Sequence, residues 1–230
     1  MSAIAAELRP AISKPLNKKL GPGIFAWSLP AKETCPGATE ACLAVCYALR
    51  GRFRMGNLKH LYQRNEEFSR TAEFSDWMVA QLVANSVEIM RLHVSGDFYD
   101  VEYVEKWYDI IRRNPQVRFF GYTHSWSVDG FTPVLRKLAR CANLKLWYSV
   151  DPTSGTPAVV PAGVRLAWLA NSDEEAHAAP AAASLVFRNK PATLMKKSKT
   201  GVTVCPHENG LQGVARPTCT MCKLCFRDQK

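Results

Sequence analysis

The stretch "IMRLHVSGDFYDVEYVEKWYDIIRRNPQVRFFGYTHS", residues 89–125, decides the fold. Its first part, 89–98, reads as a strand that runs into a glycine-containing turn. Residues 100–115 carry apolar side chains at helical spacing and stop at Asn114-Pro115. Residues 116–125 are again a strand. Strand, helix and strand joined by short connections make a βαβ unit, in which the two strands lie parallel.

The same alternation continues on both sides. Before it, "GIFAWSLP" (23–30) is a strand candidate ended by proline, residues 42–70 read as one or two helices broken near Gly51 or Gly56, and 74–88 has helical spacing with Ser75 as a cap. After it come a helix (131–141), strands at 143–151 and 163–171, a weak helix (173–183) broken by Pro180, and a short strand at 184–189. The expected architecture is α/β: a partial (β/α)6 barrel-like parallel sheet over residues 23–190. About six strands are too few for an eight-fold barrel. Residues 1–22 form a lead-in punctuated by Pro10, Pro15 and Pro22. Residues 191–230 lose the alternation and read as a Cys-rich, metal-binding C-terminal appendage.

The chain has 230 residues, 47 % of them hydrophobic, enough for a sizeable core. It has no apolar run long enough for a membrane span and no apolar segment behind its first charges, which excludes membrane and secretory readings and implies a cytoplasmic protein. Eight cysteines in a reducing compartment point to metal ligands or catalytic groups more than to disulfides. Formal charge is +10, concentrated at the ends: residues 1–60 carry nine Lys/Arg against three Asp/Glu, and 188–230 carry nine against two. Two readings stay open. Either the basic ends meet an acidic partner such as nucleic acid, or they balance metal-bound thiolates.

Seven of the cysteines fall into two sets. "TCPGATEACLAVCYA" (34–48) holds Cys35, Cys42 and Cys46 directly after the first strand, where ligands collect in parallel α/β sheets. Three thiolates can hold a [4Fe–4S] cluster with one iron left open to a ligand. A closed zinc site with a remote fourth ligand, or three unrelated buried cysteines, are the alternatives. Polar residues end the following strands: Ser95, Gly96 and Asp97, then Thr123, then Ser149 and Asp151. They form a candidate ring around one mouth, although such residues also begin ordinary turns. The second set, Cys205 with Cys219-x2-Cys222-x2-Cys225, supplies four thiols, which suit a closed [4Fe–4S] cluster, with zinc as the alternative. A tail thiol such as Cys205 as fourth ligand of the first site is a third arrangement. Cys141 stands alone and reads as a buried side chain, His93 as a core histidine, and "MKKSK" (195–199) as a solvated run. His124 lies near the expected mouth, and His207 is a neighbour of Cys205. The tryptophans Trp77, Trp107, Trp147 and Trp168 read as core.

The order of these motifs resembles the radical S-adenosylmethionine (SAM) barrel. The resemblance implies a reactive cluster on Cys35, Cys42 and Cys46 with Tyr47 as the neighbouring aromatic. It also implies SAM contacts from Ser95-Gly96-Asp97, Thr123, Ser149 and Asp151, an auxiliary cluster in the tail, and an electron donor as partner. The gaps here are x6 and x3, where that family has x3 and x2, and Tyr47 follows the last cysteine instead of preceding it. More closely, "CPGATEACLAVCYA" with "HVSGDF" and the Cys-rich tail resembles the phage- and plasmid-borne gene 88 product family. The alternative function is a basic nucleic-acid-binding protein of that kind with structural zinc or iron–sulfur sites.

Overall fold

Six strands form one sheet in which chain order is spatial order: β1 (Ile24–Trp27), β2 (Ile89–Leu92), β3 (Arg118–Thr123), β4 (Leu144–Val150), β5 (Val164–Ala170) and β6 (Leu185–Arg188). Every neighbouring pair is parallel. A parallel sheet wound in strict sequence is a half-barrel, with its crossover helices on one face. The computed structural model describes residues 10–13, 17–189, 191–208 and 216–227. The outermost ends of the lead-in and of the tail, 1–9 and 228–230, lie outside the described residues, as do 14–16, 190 and 209–215.

The helices are α1 (Glu40–Val45), α2 (Gly56–Ser69), α3 (Phe74–Ala84), α4 (Val101–Arg113), α5 (Phe131–Leu138), α6 (Asp173–His177) and α7 (Cys219–Cys222). In α4, Asp100 caps the first turn by accepting from the Tyr103 N–H at 2.7 Å, and Asn114 ends the helix. Its buried stripe of Tyr103, Val104, Trp107, Ile110 and Ile111 follows the helical repeat. These side chains meet Trp27, Met90, Leu92 and Phe119 from the outward positions of the strands, and Leu135 and Leu138 of α5 extend the same core. Cys141 is buried there, and Trp107 and Trp168 join it with Trp77 at its edge.

Some boundaries differ from those read in the sequence. β2 ends at Leu92 because His93 takes a left-handed backbone (φ 58°), which breaks the ladder. Two 3-10 turns, Tyr47–Leu49 and Gly51–Arg54, separate α1 from α2. Glu73, not Ser75, precedes α3, and α6 is a single short turn that ends well before Pro180.

The second core lies on the other face. Ile24, Ala26, Phe120, Trp147, Ala167 and Leu185 point into the hollow of the half-barrel, and Cys205, Cys219, Cys225 and Phe226 pack on them. The tail is thus not the separate appendage that its composition suggests. An open half-barrel leaves an apolar inner face that must be covered, and the tail covers it. Backbone bonds fasten it: Cys219 N–H to Lys19 O (2.9 Å), Thr220 N–H to Leu20 O (3.0 Å) and Cys205 N–H to Val186 O (2.8 Å). The Trp147 indole donates to Cys225 O at 2.9 Å, and the Phe226 ring lies 5.2 Å from that of Phe120. In "MKKSK", Met195 and Ser198 are buried while the three lysines are exposed.

Candidate functional site

The carboxyl ends of the strands open onto a pocket of about 310 Å3. That is within the size range of small-molecule sites. Cys35, Cys42 and Cys46 border it, as expected from their place after β1. They are held there by local chemistry. Thr39 caps α1, its hydroxyl oxygen accepting from the Cys42 N–H at 3.0 Å, and the same hydroxyl donates to Asp151 Oδ2 at 2.5 Å. Asp151 is fully buried, and its Oδ1 accepts from the N–H groups of Thr153 and Ser154 at 2.8 Å each. One carboxylate therefore ties the thiol loop to the end of β4. Gly37 completes the fit: a Cβ there would lie 2.1 Å from His124 O, so only glycine lets the loop touch the end of β3.

The polar residues read as a ring divide into two groups. Ser95, Gly96, Asp97 and Ser149 border the pocket, whereas Thr123 and Asp151 are not among the residues that line it. Most of their polar atoms serve the loops. Ser95 Oγ donates to Leu29 O at 2.8 Å, Asp97 accepts from the N–H groups of Phe98 and His124 at 2.7 Å each, and Thr123 Oγ1 accepts from the Ser125 N–H at 2.9 Å. Gly96 (φ 81°) packs so tightly that a Cβ would lie 2.6 Å from Leu29 Cβ and Thr34 Oγ1. Tyr47 borders the pocket, half exposed, with its hydroxyl donating to Val94 O.

Burial sets the electrostatics. It pushes Cys35 up to about 12, with Asp97 adding repulsion, and Cys42 up to about 12, with Cys46 adding to it. It lifts Asp97 to about 6 against the pull of the hydrogen bonds from Thr123, His124 and Phe98. It lowers His93 to about 3, with Arg91 as the second cause, so that imidazole is neutral. His93 Nε2 meets the Tyr103 hydroxyl at 2.9 Å, while its Nδ1 and that of His124 are buried without a partner. Both histidines border the pocket. His93 is buried against Phe98, Tyr103 and Trp107, as a core histidine would be, and also borders the pocket.

Four charged contributors escaped the sequence reading: Arg91, Lys19, Arg188 and Glu208. Lys19 pairs with Glu208. Burial works to lower the Lys19 ammonium, but Glu208 and then Cys205 outweigh it and hold it above its usual range. Arg91 lies with its guanidinium 5.3 Å above the Tyr122 ring. The clue to Arg91 was its position. It is a charged residue inside the apolar run "IMRLHV", on the strand face that turns inward.

The four tail cysteines border their own cavity, of about 10 Å3, together with His207, which is bonded through Nδ1 to Pro217 O at 3.0 Å. Burial pushes Cys205 up to about 12 and Cys225 up to about 11. Among the described residues no tail cysteine borders the larger pocket, so the first set keeps three thiols to itself. The metal sites expected on Cys35, Cys42 and Cys46 and on Cys205, Cys219, Cys222 and Cys225 are not preformed as ion sites. Among the described residues no group of three or more His, Cys, Asp or Glu side chains is set to hold one metal ion. The first three thiols border the large pocket, and the tail four border a cavity of about 10 Å3.

The family model described as "Gene product 88" matches residues 5–228. The chain belongs to that family. It is 32 % identical over 130 residues to the gene 88 protein of Mycobacterium phage L5, covering 52 % of this chain and 53 % of that protein. It is 28 % identical over 130 residues to the gene 88 protein of Mycobacterium phage D29, covering 52 % of each. The chain thus spans about half the length of the curated relatives it matches. No solved structure matches it. Among the described residues of this family member, no helix is long and apolar enough to cross a membrane.

Proposed function

We propose that this gene 88 family protein is an iron–sulfur protein resembling radical SAM enzymes, with a three-thiolate [4Fe–4S] cluster in the large pocket and an auxiliary four-thiolate cluster in the tail. The observation that carries the reading is the three-thiol pocket. Cys35, Cys42 and Cys46 share one cavity at the strand ends of a half-barrel, and no fourth cysteine borders it among the described residues.

The residues fit such a group. A zinc ion draws its thiolates to about 2.3 Å and hence to one point. A cubane binds each thiolate to a different iron, and the three thiols of the first set share one cavity of about 310 Å3. The tail set supplies four thiols bordering a cavity of about 10 Å3, with zinc as its alternative occupant. When bound, an open cluster supplies one-electron chemistry to a ligand such as SAM. The chain's own part is separate. Thr39 and Asp151 hold the thiol loop, Gly37 seats it against β3, and Ser95, Gly96, Asp97 and Ser149 line the wall where a small cofactor would lie. Buried thiols that hold their protons this firmly must release them to bind metal, so loading is favoured by higher pH.

Anaerobic purification with metal analysis and an electronic spectrum tests the reading. The expected result is about eight irons per chain, four per site, with a thiolate-to-iron band. Cys42→Ala removes about half of the iron and Cys219→Ser the other half. Reduced protein given SAM is expected to release 5′-deoxyadenosine. Iron without that product ends the SAM part alone, and zinc without iron ends the whole reading.

A further inference from the structure

Among the charges around the large pocket, the acidic partners are unevenly shared. Lys19 is matched by Glu208, and Arg188, whose backbone N–H also bonds Glu208, has its guanidinium on Asp173. Arg91 differs. Its electrostatic neighbours are Tyr47, Tyr122, Cys219 and Cys225, with no carboxylate among them. Its Nε is buried without a hydrogen-bond partner, as are Nε and Nη1 of Arg188, but Arg188 has the Asp173 carboxylate on its Nη2. An arginine cannot escape this situation by losing its proton, and an uncompensated guanidinium away from water is costly. The nearest partners of Arg91 are phenols and thiols, so an oxyanion entering the pocket would give it a carboxylate-like partner. The wall beside it is aromatic: Tyr122, under the guanidinium, has its ring 5.3 Å from that of Phe187, and both rings border the pocket. A planar cation above an aromatic wall in a cavity of about 310 Å3 suits a ligand that combines a flat apolar body with one oxyanion.

We propose that Arg91 forms the anion subsite of this pocket and receives the carboxylate or phosphate of a small, partly aromatic ligand. The subsite stands on the unpartnered Nε and the cavity; thiolates of Cys219 and Cys225 holding a tail cluster would share the same charge, so iron content is measured beside it. The guanidinium donates through its N–H groups to the oxyanion, and the aromatic wall excludes water from the pair.

The test uses full-length protein as purified, with benzoate, phenyl phosphate and neutral benzamide as probes in calorimetric titrations. The two anions are expected to bind at least about tenfold more tightly than benzamide. Comparing them separates a carboxylate from a phosphate site. Arg91→Gln removes the preference, and Arg91→Lys restores part of it. A second measurement needs no variant. Phenylglyoxal is expected to label Arg91 in free protein, with benzoate or phenyl phosphate reducing labelling severalfold, as read by peptide mass spectrometry. Equal binding of the anions and benzamide overturns the proposal. So does an unchanged preference in a folded Arg91→Gln variant, or an Arg91 that is not labelled in free protein. Iron content measured on the same samples keeps the two readings apart. Anion preference without iron upholds the subsite and ends the cluster reading, and iron without anion preference does the reverse.

Discussion

The two cysteine sets occupy opposite situations on one sheet. Cys35, Cys42 and Cys46 are half-buried on a loop at the strand ends, beside a pocket of about 310 Å3. Cys205, Cys219 and Cys225 are buried inside the half-barrel, around a cavity of about 10 Å3. The first set has room for a ligand, whereas the second is woven into the core by Trp147, Phe120 and the backbone of residues 19–20. The difference teaches that thiol density alone does not tell thiols beside a pocket from thiols packed in a core. What distinguishes them is the space left beside the sulfurs and the number of apolar contacts that depend on them.

The comparison breaks if the tail proves dispensable for stability. Phe226 is 3 % exposed and packs on Phe120. Phe226→Ala is expected to cost about 3–5 kcal/mol in urea unfolding, the range for removing a buried aromatic. A loss under about 1 kcal/mol would mean that the inner face does not need its cover.

The loop holding the open set rests on fewer contacts. Thr39→Val removes both the α1 cap and the partner of Asp151 Oδ2, leaving that oxygen buried and unpaired. The expected loss is about 1–3 kcal/mol, with Thr39→Ser recovering most of it.

Asp97 gives a pH signature to the same mouth. Its carboxyl titrates near 6 in the folded chain, against about 3.9 unfolded. Folding therefore takes up a proton between those values. The contribution of this group to stability is greatest below about pH 4 and falls as pH rises through 4–6. Asp97→Asn is expected to flatten that slope in unfolding curves, and an unchanged slope would remove Asp97 as its source.

The smallest stability effect sharpens the contrast most. Cys42 lies half-buried on a short helix with no buried residues. Cys42→Ala is expected to change thermal stability of the metal-free chain by no more than about 1 kcal/mol. If it costs as much as the change at Phe226, the first set is structural as well.

Much of the scaffold was legible along the chain. The β-rich run at 116–125 and the helical stripe of 100–115 located β3 and α4 within a few residues, because burial of one face imposes its period on the sequence. The two thiol sets and the polar strand ends were also visible as residue types. Three facts were not. The tail fills the hollow of the half-barrel, Asp151 is spent on Thr39, and Arg91 faces the pocket without a carboxylate. Each depends on residues distant in the chain being brought together, 112 positions for Thr39 and Asp151 and 200 for Leu20 and Thr220, and local periodicity carries no information about such pairs.

The sequence by itself determined a parallel α/β sheet, the sites of its strands and the thiols placed after β1, since local period and turn chemistry act over a few residues. Only the tertiary structure decided which thiols face a pocket and which face the core. That choice follows from covering the inner face of an open half-barrel, a requirement that exists only once the strands are side by side.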